Sequence, residues 1–315
     1  MLMKQPLHRV PTLIGLMMAI AAAAGPASAQ KQTLRWKHRP GSELVYRVAN
    51  HQEMEMAAMA GSSVSEQIQT QRWRVEEVAA NGDATITITT ERVQLDMQGI
   101  AGNVKYDSDT DEAPANPQAR ILAAMKGVRF TAVIGADGTL RSVRGLAELR
   151  EKVMAALPPE QAGMVQAMSG EMFSEESMGR MMQQSVQLFP AGPIGPGDTW
   201  RDSLSMPVPM LGTITTNLMF TLTGFEQREG RTVATIANTG DFVLGADASS
   251  ALPVTFDLGA SKMTGTIDFD VDRGITLASD VMTTMQMTVG AGGQQVTMAM
   301  KQSTRLELIE YVAGR

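Results

Sequence analysis

Cysteine is absent from the 315 residues. No disulfide, thiolate nucleophile or cysteine-ligated metal can exist in this chain. Histidine is nearly absent too, with three residues in all, His8, His38 and His51. Neither His38 nor His51 has a partner cluster nearby in sequence, and general acid–base chemistry has little to use. Aromatic residues make up 4% of the chain, so platforms for stacking sugar rings are scarce. A carboxylate pair can act without any of these. Still, no G-x-S-x-G or H-E-x-x-H pattern is present, and the expectation is a chain without catalytic residues and without a cofactor.

An excess of positive charge is also missing. The net charge is −6. Nucleic-acid binding needs a basic footprint, and anionic lipid headgroups attract polybasic segments. Neither kind of partner fits this balance.

Long apolar runs are lacking with one exception, and that one is informative. Lys4 and Arg9 precede the apolar run Leu13 to Ala24, and Ala27-Ser28-Ala29 is a small-x-small site before Gln30. This is the pattern of a cleavable secretory signal over residues 1–29, and the run is short for a membrane span. It predicts a periplasmic or secreted protein with no transmembrane segment in the mature chain. Removing Lys4 and Arg9 leaves 25 basic against 33 acidic residues, a net charge of −8.

What remains is rich in alternating β patterns. Gly41 to Asn50 reads as a strand with Leu44, Tyr46 and Val48 on one face. Val64 to Glu77 reads as another, its phase slipping once between Ile68 and Trp73 as a bulge would cause. Asn81-Gly82 predicts a tight turn before the β-branched return strand Ala84 to Leu95. Asn116-Pro117 predicts the start of a short helix, Gln118 to Lys126, stopped by Gly127. Asp137-Gly138 divides a hairpin running from Val128 to Val143. Leu146, Leu149, Val153 and Leu157 then follow helical spacing.

The region 146–188 is expected to be helical, with Met164, Met168 and Met172 at steps of four, and Met178 and Met182 further on. The run FPAGPIGPGDTW, Phe189 to Trp200, contains three prolines and three glycines and reads as a rigid crossover. Strand patterns resume from Trp200. The hairpin Trp73 to Leu95 parallels Phe220 to Leu244, and Gly41-Ser42-Glu43-Leu44 parallels Gly197-Asp198-Thr199-Trp200. The predicted fold is mainly β with a central helical segment: two related antiparallel β-rich halves forming a curved sheet or half-barrel packed on helices. The predicted divisions are 30–145, 146–188, 189–199 and 200–315.

Methionine is the most distinctive presence, with 25 residues. Thioethers bind copper(I), but the methionines are scattered and lack neighbouring His or Cys. Flexible, polarisable Met side chains also fill core gaps and line adaptable apolar grooves, which is the preferred reading. Met164, Met168, Met172, Met178 and Met182 are the candidate groove lining. Asp107, Asp109 and Asp111 have the alternate spacing of a calcium loop, but Glu112 and Gln118 stand where Gly and Glu belong, so a solvated turn is expected. Asp268, Asp270 and Asp272 are expected on a solvent-facing side opposite Ile267, Phe269 and Val271.

The export signal, Gly41 with Tyr46, Phe189-Pro190, Gly197-Asp198-Thr199-Trp200 and the late Leu306 to Ile309 together resemble a family of uncharacterised exported bacterial proteins. That resemblance implies no activity and no functional residue. More loosely, the layout is similar to periplasmic half-barrel carriers that ferry lipoproteins. The functional expectation is a noncatalytic protein binding an apolar ligand, such as a lipid, or a protein partner. A structural, envelope-associated interaction protein is the alternative, with an enzyme or copper-binding protein behind both.

Overall fold

The computed structural model describes residues 31–56, 61–99, 102–112, 114, 116–157, 189–208, 212–245, 254–259, 261–291 and 294–314. They form a mainly β protein: one large, curved, open antiparallel sheet and two short helices. The strands are β1 (Glu43–Met56), β2 (Gly61–Val78), β3 (Ala84–Gly99), β4 (Val104–Asp107), β5 (Arg129–Ile134), β6 (Leu140–Arg144), β7 (Thr199–Val208), β8 (Gly212–Arg228), β9 (Arg231–Leu244), β10 (Val254–Asp257), β11 (Lys262–Asp270), β12 (Ile275–Ala291) and β13 (Gln294–Val312). The helices are α1 (Pro117–Met125) and α2 (Leu146–Ala156).

The strand order is β6-β5-β3-β2-β1-β13-β12-β11-β9-β8-β7, with β4 added beside β3 and β10 beside β12. Each half of the chain is therefore a meander, and the halves are joined where β1 pairs with β13, Glu43 opposite Val312. The two meanders enter their sheet in the same way. Gly41 N–H bonds Val75 O at 2.8 Å and Val75 N–H bonds Ser42 O at 2.9 Å; Gly197 N–H bonds Leu222 O at 2.7 Å and Leu222 N–H bonds Asp198 O at 3.0 Å.

Alternation in the sequence decides which face is buried. In β3, Ala84, Ile86, Ile88 and Thr90 are buried while the residues between them are not. Leu44, Tyr46, Val75, Ile86, Ile88, Ala132 and Ile134 form one cluster, and Phe220, Leu222, Ala234, Ile236, Ile267 and Phe269 form a second. Both lie on the same face, at the end where β1 begins and β13 finishes. A third cluster, Val93, Leu95, Met97 and Tyr106, is covered by Ala119 and Leu122 of α1.

Residues 31–40 lie along this packed end. Gln32 and Ile194 exchange backbone hydrogen bonds, and Lys37 N–H bonds Gly274 O at 3.1 Å. Leu34 is 2% exposed. Trp36 packs against both of the first two clusters and so ties the halves together. Gly274 permits the approach: its φ is 66°, and a Cβ there would stand 2.4 Å from Lys37 N.

Several local expectations are met by specific atoms. Asn116 Oδ1 accepts the Ala119 N–H at 3.2 Å and caps α1, and Gly127 follows with φ 72°. Gly82 and Gly138 take φ 86° and 83° in their turns. Two expectations are revised. The first strand runs on through Met54 to Met56 rather than stopping near Asn50. Strand β2 keeps its phase between Ile68 and Trp73: Ile68 faces the other side of the sheet, and the extra residue is Glu91 on β3. The helical segment expected over 146–188 is seen in α2, which lies beside α1 and buries only Leu146, while 158–188 lie outside the described residues; α1 packs on β3.

Candidate ligand-binding face

Beyond the packed end, the core-bearing face continues as neighbouring rows set by register. Directly opposed residues on antiparallel strands share a face, with Cβ atoms about 4.5–5.5 Å apart. Met54 of β1 lies opposite Met300 of β13, which lies opposite Met285 of β12. One row further out, Met56 is opposite Met298 and Met298 opposite Met287. Three adjacent strands thus set six methionines in two rows of three. Met54, Met285, Met287, Met298 and Met300 are half-buried.

Between these rows and the packed end runs a belt of neutral polar side chains. It includes Ser65, Gln67, Gln69, Asn50, Gln52, Gln302, Thr304 and Thr283. Thr304 Oγ1 donates to Asn50 Oδ1 at 2.7 Å. Two of the amides donate to sulfur, a weak acceptor: Gln52 Nε2 to Met300 Sδ at 3.1 Å and Gln69 Nε2 to Met125 Sδ at 4.0 Å.

Charge is missing from this face on eight neighbouring strands; on the edge strand β7 the exposed Asp202, opposite Leu218, shares it. On β3, β2, β1, β13, β12, β11, β9 and β8, the paired residues that share the face of the apolar clusters include no Asp, Glu, Lys, Arg or His. The charges of the same strands stand on the opposite face. There Arg72 pairs with Glu91 at 2.6 Å and Glu43 at 3.0 Å, and Arg305 lies 3.6 Å from Asp280. Such a division suits a ligand without net charge, because on these eight strands an ion on the neutral side would lose hydration with no counter-ion beside it.

The methionines singled out by helical spacing, Met164, Met168, Met172, Met178 and Met182, lie outside the described residues. The strand methionines were missed as a group. Met54-Glu55-Met56 and Met285-Gln286-Met287 show in the sequence that two methionines of each pair share a face, but not that the pairs are opposed across β13.

The acidic turn at 107–111 closes on itself. Arg92 binds Asp107, Asp111 Oδ2 accepts the Asp107 N–H at 2.7 Å, and Lys126 Nζ reaches Asp109 Oδ1 at 2.8 Å. The Arg92 guanidinium, with the Asp109 N–H, holds the Asp107 carboxyl well below the usual carboxylate range. A groove of about 390 Å³ beside it, lined by Glu66, Ile68, Asp96, Lys105, Asp107 and Asp111, lies against the charged face of β2 and β3. Among the described residues, no three His, Asp or Glu side chains are placed to hold a metal ion.

Asp270 departs from expectation. It is 0% exposed, whereas Asp268 and Asp272 are not buried. The β11–β12 turn folds back on it: Arg273 N–H donates to its Oδ1 at 2.8 Å, and Arg231 Nε stands 3.2 Å from its Oδ2 without hydrogen-bond alignment. The carboxylate serves the turn. Tyr46, buried, and His38, half-buried, are two further titratable groups at the packed end. Tyr46 reaches across β13 to donate to Thr276 O at 3.1 Å, and burial pushes its hydroxyl pKa up. His38 stacks on Trp36 at 6.0 Å, and burial pushes its pKa down to about 4.

Fold and face together define an antiparallel β-sheet protein whose core-bearing side is uncharged across eight neighbouring strands of the described residues. The chain belongs to DUF6263, a family of unknown function whose profile matches residues 81–276. No curated protein matches it. Among solved structures, it is similar to a chain titled "lipid-protein interactions in lipovitellin" at 8% identity and TM-score 0.48, covering 88% of this chain and 26% of that one. DynF from the dynemicin biosynthesis pathway of Micromonospora chersina matches at 6% identity and TM-score 0.20, covering 89% and 86%. The outer membrane protein OprG from Pseudomonas aeruginosa matches at 5% identity and TM-score 0.18, covering 88% and 99%. No helix among the described residues is long and apolar enough to cross a membrane.

Proposed function

We propose that this is a noncatalytic protein that binds an apolar, uncharged ligand on the neutral face of its sheet. The observation that carries the reading is the charge-free side of eight neighbouring strands, ending in opposed methionines that stay half-buried. Thioether side chains have three rotatable bonds and adapt to irregular apolar shapes. On sequence spacing, Met164, Met168, Met172, Met178 and Met182 would add to this lining. The signal-like residues 1–29 support a periplasmic or secreted setting, and the matching strand entries support descent of the two halves from one duplicated unit. A structural, envelope-associated role is the second reading, favoured by the closed apolar packing around Trp36.

The test is titration with N-phenyl-1-naphthylamine, whose fluorescence rises in apolar surroundings, with native mass spectrometry of protein purified from its own envelope. Saturable binding that Met54→Lys and Met300→Lys each weaken at least tenfold, together with a co-purified uncharged lipid, supports the reading. Probe binding that is absent, or indifferent to both lysines, sinks it and leaves the structural role.

A further inference from the structure

One polar group on the neutral face is out of keeping with its surroundings. Asn238, in the middle of β9, is 6% exposed, and no donor among the described residues reaches its Oδ1. Its cross-strand neighbours are Phe220 of β8 and Gly265 of β11. The apolar residues Ile236 and Ile267 bound it toward the packed end, and Met263 and Leu218 lie toward the open end. A buried carbonyl oxygen left without a donor costs about 1–3 kcal/mol.

The site is shaped to keep it there. The Asn238 amide lies over Gly265, where a Cβ would stand 2.7 Å from Asn238 Oδ1 and 2.5 Å from Asp280 O. A side chain at 265 would collide with both, so the amide keeps this position only above a glycine. The fold thus makes room for an acceptor that nothing in the described chain satisfies.

We infer that Asn238 Oδ1 receives the hydroxyl of an uncharged, long-chain ligand whose tail lies along the open, methionine-lined part of the same face. This inference rests on the proposed apolar-ligand reading and specifies its ligand class. A carboxylate at this point would oppose one acceptor with another, with no cation on the face to offset it. An ammonium group would have no counter-ion beside it, because Asp202, the carboxylate that register puts on this face, is exposed and two strands away on β7. An alcohol supplies the missing donor without charge.

The experiment displaces N-phenyl-1-naphthylamine at pH 8 with 1-dodecanol, dodecyl methyl ether or dodecanoate, using the wild type and Asn238→Leu. The expected result is that the wild type binds dodecanol about tenfold tighter than the ether, as one hydrogen bond to a buried acceptor allows, with dodecanoate weakest. In Asn238→Leu the alcohol should fall to the affinity of the ether, while the ether is held as before. If the wild type binds alcohol and ether equally while still binding the probe, Asn238 holds only an ordered water and the inference fails alone. If the probe does not bind at all, the apolar-ligand reading fails first. The wild-type comparison decides the matter even if the variant does not fold.

Discussion

Trp36 meets Phe269 edge to face, with ring centroids 5.7 Å apart and planes at 81°. The contact fastens a segment that belongs to no strand onto the centre of the second apolar cluster. Because Trp36 also touches the first cluster, Trp36→Ala should loosen both halves together. A loss of about 3 kcal/mol is expected, read from the urea midpoint at unchanged slope. A loss below about 0.5 kcal/mol, the size of an ordinary surface change, would show that residues 31–40 are only an ornament of the sheet.

His38 gives the fold a measurable response to acid. Its pKa is about 4 in the folded protein against 6.5 for a free histidine, so the fold favours the neutral ring. Between those values the unfolded chain takes up a proton that the folded chain does not. Stability is fully present above pH 6.5, declines as pH falls, and stops declining from this cause below about 4. The loss should be about 2–3 kcal/mol, and His38→Phe, which keeps the stacking, should flatten it. Asp107, Asp137 and Asp198, whose carboxyls are held below the usual range, act at lower pH again. Urea melts at half-unit steps from pH 7.5 to 2.5 would separate the two windows; an equal slope in both proteins between pH 6.5 and 4 would rule His38 out.

Gly274 and Gly230 offer a matched pair of substitutions. Both have positive φ, 66° and 74°, but a Cβ at 230 would meet nothing within 4 Å while one at 274 would collide with Lys37 N and Arg35 O. Gly230→Ala should cost about 1–2 kcal/mol from backbone strain alone. Gly274→Ala should cost about 2–4 kcal/mol and free residues 31–40, which limited proteolysis after Lys31, Arg35 or Lys37 would report. Equal costs would mean that the close approach of the two segments contributes nothing.

The opposed methionines should make ligand binding sensitive to oxidation. Hydrogen peroxide would turn Met54, Met285, Met287, Met298 and Met300 into sulfoxides, which are polar and no longer suit an apolar ligand. Probe affinity should drop several-fold and recover on treatment with methionine sulfoxide reductases. A variant with leucine at all five positions should bind the probe and ignore peroxide. Unchanged affinity in the oxidised wild type would place the ligand elsewhere.

Local chemistry was legible and long-range register was not. Asn81-Gly82, Asp137-Gly138 and Asn116 revealed their turns and cap, because the backbone conformations they permit depend on one or two residues. Alternation revealed the strands and set Ile267 and Phe269 on the side away from solvent, where they are buried. It cannot say which strand lies alongside, since a period of two fixes the face and leaves the neighbour open. The opposition of Met54, Met300 and Met285 was therefore invisible, as was Asn238 above Gly265. Ile68 misled because an apolar residue was assumed to share the face of Trp73; it packs on the charged side instead. Asp270 misled for the converse reason, since alternation took no account of a turn folding back over the outer side.

The pairing of β1 with β13 has a consequence for synthesis. On a ribosome, β1 and β2 emerge early, yet the hydrogen-bonding edge of β1 that faces β13 stays vacant until the last strand is made. At about 5–20 residues per second, that wait is on the order of tens of seconds. Throughout it the nascent chain carries an unfilled edge beside methionines and glutamines, a surface inviting to any extended segment. Shortening β13 would leave that edge of β1 open in the finished protein as well.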